Sequence, residues 1–274
     1  MENTVLKSRP GFGPQLKEWR QRRRLSQLDL AAEADISQRH LSFLESGRSR
    51  PSRDMILRLA DQLSIPLREQ NTLLVAAGFA PAYQERAMDH PALDATRHTV
   101  EQILKGHEPH PALAIDRHWH LISANRAIFA LLDNVDPFLL EPPVNVLRLS
   151  LHPNGLAPRI SNIREWRHHI FERLKQQIDT TGDTALVELL EELTSLPVPI
   201  GASPYTTDTA RPYGSIAVPL QLKHSDDILT FISTTTVFGT ALDVSLSELA
   251  IEAFYPMDNF TATTMRHILE QSND

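Results

Sequence analysis

Residues Leu25–Pro51 read LSQLDLAAEADISQRHLSFLESGRSRP, which is two short helical patterns, a tight turn between them and a basic loop behind them. Ser26 can cap a helix carrying Leu28, Leu30 and Ala31, with Gln27 at its first position. Asp35-Ile36 makes the turn. Ser37 caps a second helix whose inward residues are Leu41 and Leu44, and Ser46-Gly47 ends it. A stubby helix offered N-terminus first, with Gln38 and Arg39 exposed at its tip, has the form that enters a DNA major groove. The expectation is a double-stranded DNA operator as partner.

Further helices flank this pair. Pro14 opens a first helix with Leu16 and Trp19 inward and Arg20, Arg22, Arg23 and Arg24 following. Ser52 or Asp54 caps a fourth, with Ile56, Leu57, Leu59, Ala60 and Leu63 as its apolar stripe. Pro66 starts a fifth, which runs to Ala77 and stops at Gly78. Five helices in so few residues bury one small core, as an all-α bundle does.

The string R-x(3)-R-L-S-Q-x-x-L-A from Arg20, then S-x-x-x-L-S-x-L-E-x-G-R-x-x-P-S from Ser37, resembles the Xre/lambda-repressor family of helix-turn-helix domains. One departure is Asp35, where that family usually has Gly; Asp tolerates left-handed backbone better than most residues. Carried over by position, the resemblance implies phosphate contacts at Gln27 and Ser37 and groove-facing roles for Gln38, Arg39, Ser42 and Phe43. Arg39 suits guanine and Gln38 adenine, while Phe43 offers only apolar contact or packing. Arg48 and Arg50 follow the recognition helix, where backbone contacts position rather than specify. In this family a pair such as Arg20 and Glu45 ties the first helix to the end of the recognition helix. Arg22 to Arg24 are either a solvated helix end or phosphate contacts.

Charge divides the chain in the same place. The 274 residues carry a net charge of −7, but residues 1–80 hold 13 Lys+Arg against 9 Asp+Glu, and the remainder 14 against 25. The basic surplus therefore accompanies the helix-turn-helix, and the acidic remainder is repelled by DNA. With no cysteine and 41% hydrophobic residues, the chain has core for two domains and no thiolate or disulfide chemistry. No signal peptide or membrane-spanning run is evident, so a cytoplasmic, nucleoid-associated protein is expected.

Gly78 to Tyr83 ends the bundle and Asp89-His90-Pro91 precedes the next helix, so the domains are set at 1–84 and 85–274. Helices are expected over 92–106, with Leu93, Val100, Ile103 and Leu104 inward, and over 125–132, 145–151, 160–178 and 183–193. Short strands fit Ala112–Asp116 and His120–Ala124. Ile216, Val218, Leu220 and Leu222 alternate, residues 228–238 are rich in Thr and β-branched types, and Leu249, Ile251 and Ala253 alternate against Glu248 and Glu252. These predict an antiparallel sheet with one wet face, in an α+β domain.

The strings PALAIDRHWHLISAN, NVLRLSLHPNGL, NIREWR, STTTVFGTALDVSLSELAIEAFYP and TATTMR resemble the MmyB-type regulator ligand-binding domain over roughly residues 92–268. The resemblance implies a PAS-like fold and a small apolar ligand, a fatty acid or related acyl compound, with no other cofactor. Arg148 and His152, four apart on one helix, are candidates to clamp its head group. Alternatively Arg148 forms an internal salt bridge and His152 satisfies the helix end. Trp166 either lines the pocket or packs the core. Phe231, Thr235 and Phe238 are candidate walls, and Asn125 is placed to cap the next helix.

His118-x-His120 has the look of a metal strand, but no carboxylate follows between Leu121 and Arg126, so no metal site is expected. No phosphate loop, nucleophile elbow or paired-carboxylate site is recognisable, so no catalysis is expected. A homodimer is expected, because one recognition helix specifies too few base pairs; two would read half-sites ~34 Å apart. Two other readings stay open: a second domain that only dimerises or binds a partner, and a metal-dependent enzyme domain.

Overall fold

Each of the first five helices stops in the same way. In the computed structural model, which describes residues 11–205, 218–238 and 243–271, these are α1 (Phe12–Arg22), α2 (Gln27–Glu33), α3 (Gln38–Glu45), α4 (Arg53–Gln62) and α5 (Leu67–Ala76). A residue with positive φ follows each one: Arg24, Asp35, Gly47, Ser64 and Gly78. The next amide then donates back to the carbonyl five residues earlier, as in Leu25 N to Arg20 O, Ile36 N to Ala31 O and Arg48 N to Phe43 O. This satisfies carbonyls that the helix end leaves orphaned. Leu25, Ile36, Ile65 and Phe79, which supply four of these amides, turn their side chains onto the core.

The starts are equally local. Ser26, Ser37 and Ser52 each accept a hydrogen bond from the amide three residues on, and the Asp29 carboxylate in turn accepts from the Ser26 amide. Leu16, Leu30, Leu41, Leu44, Ile56, Leu59 and Leu74 are fully buried and form the centre of the bundle. Leu28, expected with Leu30, is instead 61% exposed, one position off the buried stripe. Gly13 lets α1 touch the end of α3: a Cβ there would stand 2.4 Å from the Glu45 carbonyl oxygen.

The chain divides into two compact units, one of Met1–Arg86 with Ala241–Val244 and one of Ala87–Thr240 with Ser245–Asp274. The second unit opens with a 3-10 turn (Pro91–Leu93) running into α6 (Asp94–Gly106), then β1 (Ala112–Ile115) and β2 (Leu121–Ala124). Next come α7 (Arg126–Phe129), α8 (Val146–Leu151), α9 (Ile163–Thr181) and α10 (Thr184–Ser195). It closes with β3 (Leu220–His224), β4 (Asp227–Val237), α11 (Val244–Ser247), β5 (Ala250–Pro256) and α12 (Asn259–Gln271). The five strands form one antiparallel sheet in the order β2-β1-β5-β4-β3, the α+β PAS-like arrangement expected.

Three expectations need correction. Ile103, expected inward, is 44% exposed on α6, whose buried stripe is Val100 and Leu104. The sheet does not have one wet face at its centre. Ala112, Ala114, Ile251 and Ala253 pack beneath α6, while Leu113 and Ile115 face the main core, so β1 is buried along its whole length. Glu252, placed by alternation on the wet side, is consequently buried on the core side. Of the alternating run, Ile216 lies outside the described residues.

Asn125 shows how the polar groups in this unit are satisfied. Its Oδ1 accepts from the amides of Ala112 and Ile128, and its Nδ2 donates to the carbonyls of Leu104 and His110. The capping role expected of it is one of four bonds that join α6, β1 and α7.

Asp35 adopts φ +52, so its replacement by Gly relieves left-handed strain. Asp35→Gly is expected to stabilise the first unit by up to about 1 kcal/mol and Asp35→Val to destabilise it by about 1–2 kcal/mol. Native-state hydrogen exchange of the Leu41 and Leu44 amides reads both.

Candidate nucleic-acid interface and apolar cavity

On α3, Leu41, Leu44 and Glu45 face inward, which turns Gln38, Arg39, Ser42 and Phe43 outward. Ser37 is exposed and spends its hydroxyl oxygen on the cap, accepting from the His40 amide at 3.1 Å. The Phe43 ring lies between two guanidiniums, with Arg39 at 5.3 Å and Arg48 at 5.9 Å from its centroid. Such cation–π contacts hold long side chains in place at little cost to their charge. Among the described residues none of Arg39, Arg48 and Arg50 has a carboxylate partner, so all three present unneutralised charge.

The one acid on this helix is withdrawn. Glu45 takes two bonds from Arg20, at 2.6 and 3.1 Å, and a third from the Gln27 amide at 2.8 Å. The hydrogen bond to Glu45 raises the Arg20 pKa. Gln27, expected at a phosphate, thus also braces Glu45. Arg22 pairs with Glu18, and Arg23 donates to the carbonyls of Leu63 and Ser64.

In the second unit a cavity of about 110 Å³ lies between the sheet and helices α8 and α9. Its wall is almost wholly apolar and includes Trp119, Leu147, Trp166, Ile170, Phe231 and Phe254. Trp166, Ile170 and Arg173 reach it from successive turns of α9, as the helical period dictates. Trp119 closes it from the β1–β2 turn with φ +67, a conformation that bulky residues adopt only under constraint. Its Nε1 donates to Gln177 at 2.9 Å, and the Arg173 guanidinium lies 4.7 Å from its ring centroid.

The polar groups on this wall are Ser150, Arg173 and Glu252. None was singled out in the sequence. Arg173 was legible as the seventh residue after Trp166 on the same helix; Glu252 was hidden by the alternation that seemed to place it outside.

The expected head-group clamp is not on this wall. Arg148 makes a bidentate salt bridge to Glu192 at 2.6 and 2.7 Å, at the surface. That pair lowers the Glu192 pKa and raises that of Arg148. His152 falls past the end of α8 in extended backbone, where its Nδ1 accepts from the Asn154 amide and its ring meets Phe138 edge-on. Helix α8 stops at Leu151, so the two side chains do not share a helical face. Phe231 is fully buried on the cavity wall. Thr235 is exposed and bonds Arg173 and Glu252 from beside the cavity, and Phe238 packs against the cluster beneath α6, on the other side of the sheet.

The spacing rule for a metal overlooked a carboxylate upstream of the histidines. Asp116, His118 and His120 bring one donor atom each within 4.8 Å of one another. Each already has a protein partner. Asp116 accepts from the amides of His118 and His120 and lies 3.0 Å from His120 Nδ1, while His118 Nε2 lies 2.8 Å from Asp183. Burial pushes the Asp183 carboxyl up, but the bonds from His118 and the Ala185 amide outweigh it and hold the group below its usual range. These contacts close the turn that carries Trp119.

Residues 96–268 match the MmyB-like transcription regulator ligand binding domain, and residues 16–70 match a helix-turn-helix family. The chain belongs to the MmyB-like family of transcription regulators. It is a DNA-binding transcription regulator with a separate ligand-binding domain. No curated protein matches it. Among solved structures, the clp gene regulator ClgR from Corynebacterium glutamicum is 21% identical over 36% of this chain and 90% of its own. Its TM-score of 0.22 carries no structural argument. Among the described residues no helix is long and apolar enough to cross a membrane.

Arg39→Ala is expected to cost ~1–3 kcal/mol of operator binding and to relax preference at one base pair. Arg50→Ala should weaken all sequences alike and shallow the salt dependence by about one counterion. Competition binding against single-base operator variants at two salt concentrations separates the two behaviours. Removing one partner of the buried pair, as in Arg20→Met, should destabilise the first unit by about 3 kcal/mol, read by the same hydrogen exchange as Asp35.

Proposed function

We propose that this regulator is a homodimer that reads a two-half-site operator with α3 and senses a small apolar ligand, a fatty acid or related acyl compound, in its second domain. One observation supports the sensing role above the others: a cavity of about 110 Å³ in the middle of the core of a domain of this family. A cavity of ~150 Å³ admits benzene. A short acyl group therefore fits with little change, and a longer chain must part the wall.

Occupancy alters DNA affinity only if the ligand binds one arrangement of the dimer better than another; a tenfold preference corresponds to ~1.4 kcal/mol. A domain that served only to dimerise would gain most from a filled interior, which disfavours that alternative.

Native mass spectrometry of the full-length protein tests the reading. The expected result is a dimer carrying acyl-compound adducts, with operator affinity changing at least several-fold after they are stripped. A chain that carries nothing, and whose operator affinity ignores added acyl compounds of every length, would sink it.

A further inference from the structure

Nitrogen and oxygen donors converge on the turn that holds Trp119. Asp116, His118 and His120 are half-buried, and each brings one donor atom within 4.8 Å of the other two. Backbone bonds fix this turn as well. Asp116 N donates to the His120 carbonyl at 3.0 Å, Trp119 N to the Asp116 carbonyl at 3.1 Å, and Asn145 Nδ2 to the His118 carbonyl at 2.9 Å.

The existing bonds of the three side chains leave donor atoms to spare. Asp116 Oδ1 accepts from the His118 and His120 amides, at 2.8 Å each, so closing the turn occupies one oxygen only. Oδ2 faces His120 Nδ1 at 3.0 Å. His118 Nε2 lies 2.8 Å from Asp183, and its Nδ1 has no hydrogen-bond partner among the described residues. A carboxylate behind one ring nitrogen is the arrangement that orients a metal-ligating histidine. Charge also favours a cation. Asp116, Asp183 and Glu248 stand here against one guanidinium, Arg117, which lies 3.7 Å from Asp183 and 3.8 Å from Glu248.

We propose that Asp116 Oδ2, His118 and His120 bind a divalent transition-metal cation of the zinc class, and that the bound ion stiffens the turn that sets Trp119 on the cavity wall. Two imidazoles and a carboxylate are a donor set suited to zinc. Tetrahedral ligands at ~2.0–2.1 Å from zinc stand about 3.3 Å apart. The 3.0 Å spacing of Asp116 and His120 is already close to this, and the widest pair has to close by about 1.5 Å at most.

The test titrates zinc into the full-length, tag-free protein after chelator treatment, with a chromogenic chelator as competitor. One equivalent is expected to bind in the micromolar range or tighter. Asp116→Asn is the most informative variant, because its amide oxygen can still accept from both backbone amides while its nitrogen cannot ligate. It and His120→Ala should each weaken zinc binding by about tenfold or more. His267→Ala, exposed on α12, should leave it unchanged. Zinc should alter the tryptophan emission of the wild-type protein and not that of Trp119→Phe.

Absence of micromolar binding overturns the site. So does binding that Asp116→Asn and His120→Ala both leave intact, because the ion then sits on other histidines. Emission that ignores zinc, or responds equally in Trp119→Phe, overturns the effect on Trp119 and leaves the site standing. Asp116→Asn keeps the bonds of the turn, so the outcome does not hang on whether His120→Ala folds.

Discussion

The Glu45 carboxylate, gripped by two nitrogens of Arg20 and by the amide of Gln27, fixes where the recognition helix lies in the first unit. A helix of eight residues has too few internal hydrogen bonds to hold itself in place, so its position comes from outside. Leu41 and Leu44 supply the burial, and the ion pair supplies the register along α1. The close approach at Gly13 leaves no room for α3 to slide. The same contact solves an electrostatic problem. An uncompensated acid beside Ser42 and Phe43 would repel phosphate, and pairing it inside the bundle leaves Arg39, Arg48 and Arg50 to set the local potential.

The second unit combines apolar packing with a small number of well-bonded polar side chains, and leaves Arg167 Nη1 buried without a hydrogen bond among the described residues. Asn125 joins three elements with four bonds, and Asn145 caps α8 while donating to the His118 carbonyl. The turn holding Trp119 in left-handed backbone is part of the same design. It is closed by Asp116, and the ring it presents is held at its Nε1 edge by Gln177 and over its face by Arg173.

Much of the first unit was legible because its signals are local. Serines capping α2, α3 and α4, apolar spacing and left-handed stops each operate within a few residues, so reading them needs no knowledge of the tertiary fold. The exposed Leu28 is the exception, since a single apolar residue off the stripe carries no mark of which side it takes. In the second unit the existence and order of most elements could be read, and α12 could not, because its apolar period is diluted by threonines. The cavity wall was harder. Alternation along β5 labels Glu252 as solvated only if the sheet has one covered face, and α6 covers the other. Arg148 and His152 are neighbours only if α8 continues, and it stops between them. Those facts depend on what packs against each element, which sequence spacing does not encode.

Gly47, at φ +73, ends α3 after eight residues. At 1.5 Å per residue the rod is ~12 Å long, close to the width of a major groove. Its length is thus set by a single backbone conformation at its far end and not by its outward-facing side chains. Gln38, Arg39, Ser42 and Phe43 can therefore be exchanged without altering the length of the rod that carries them.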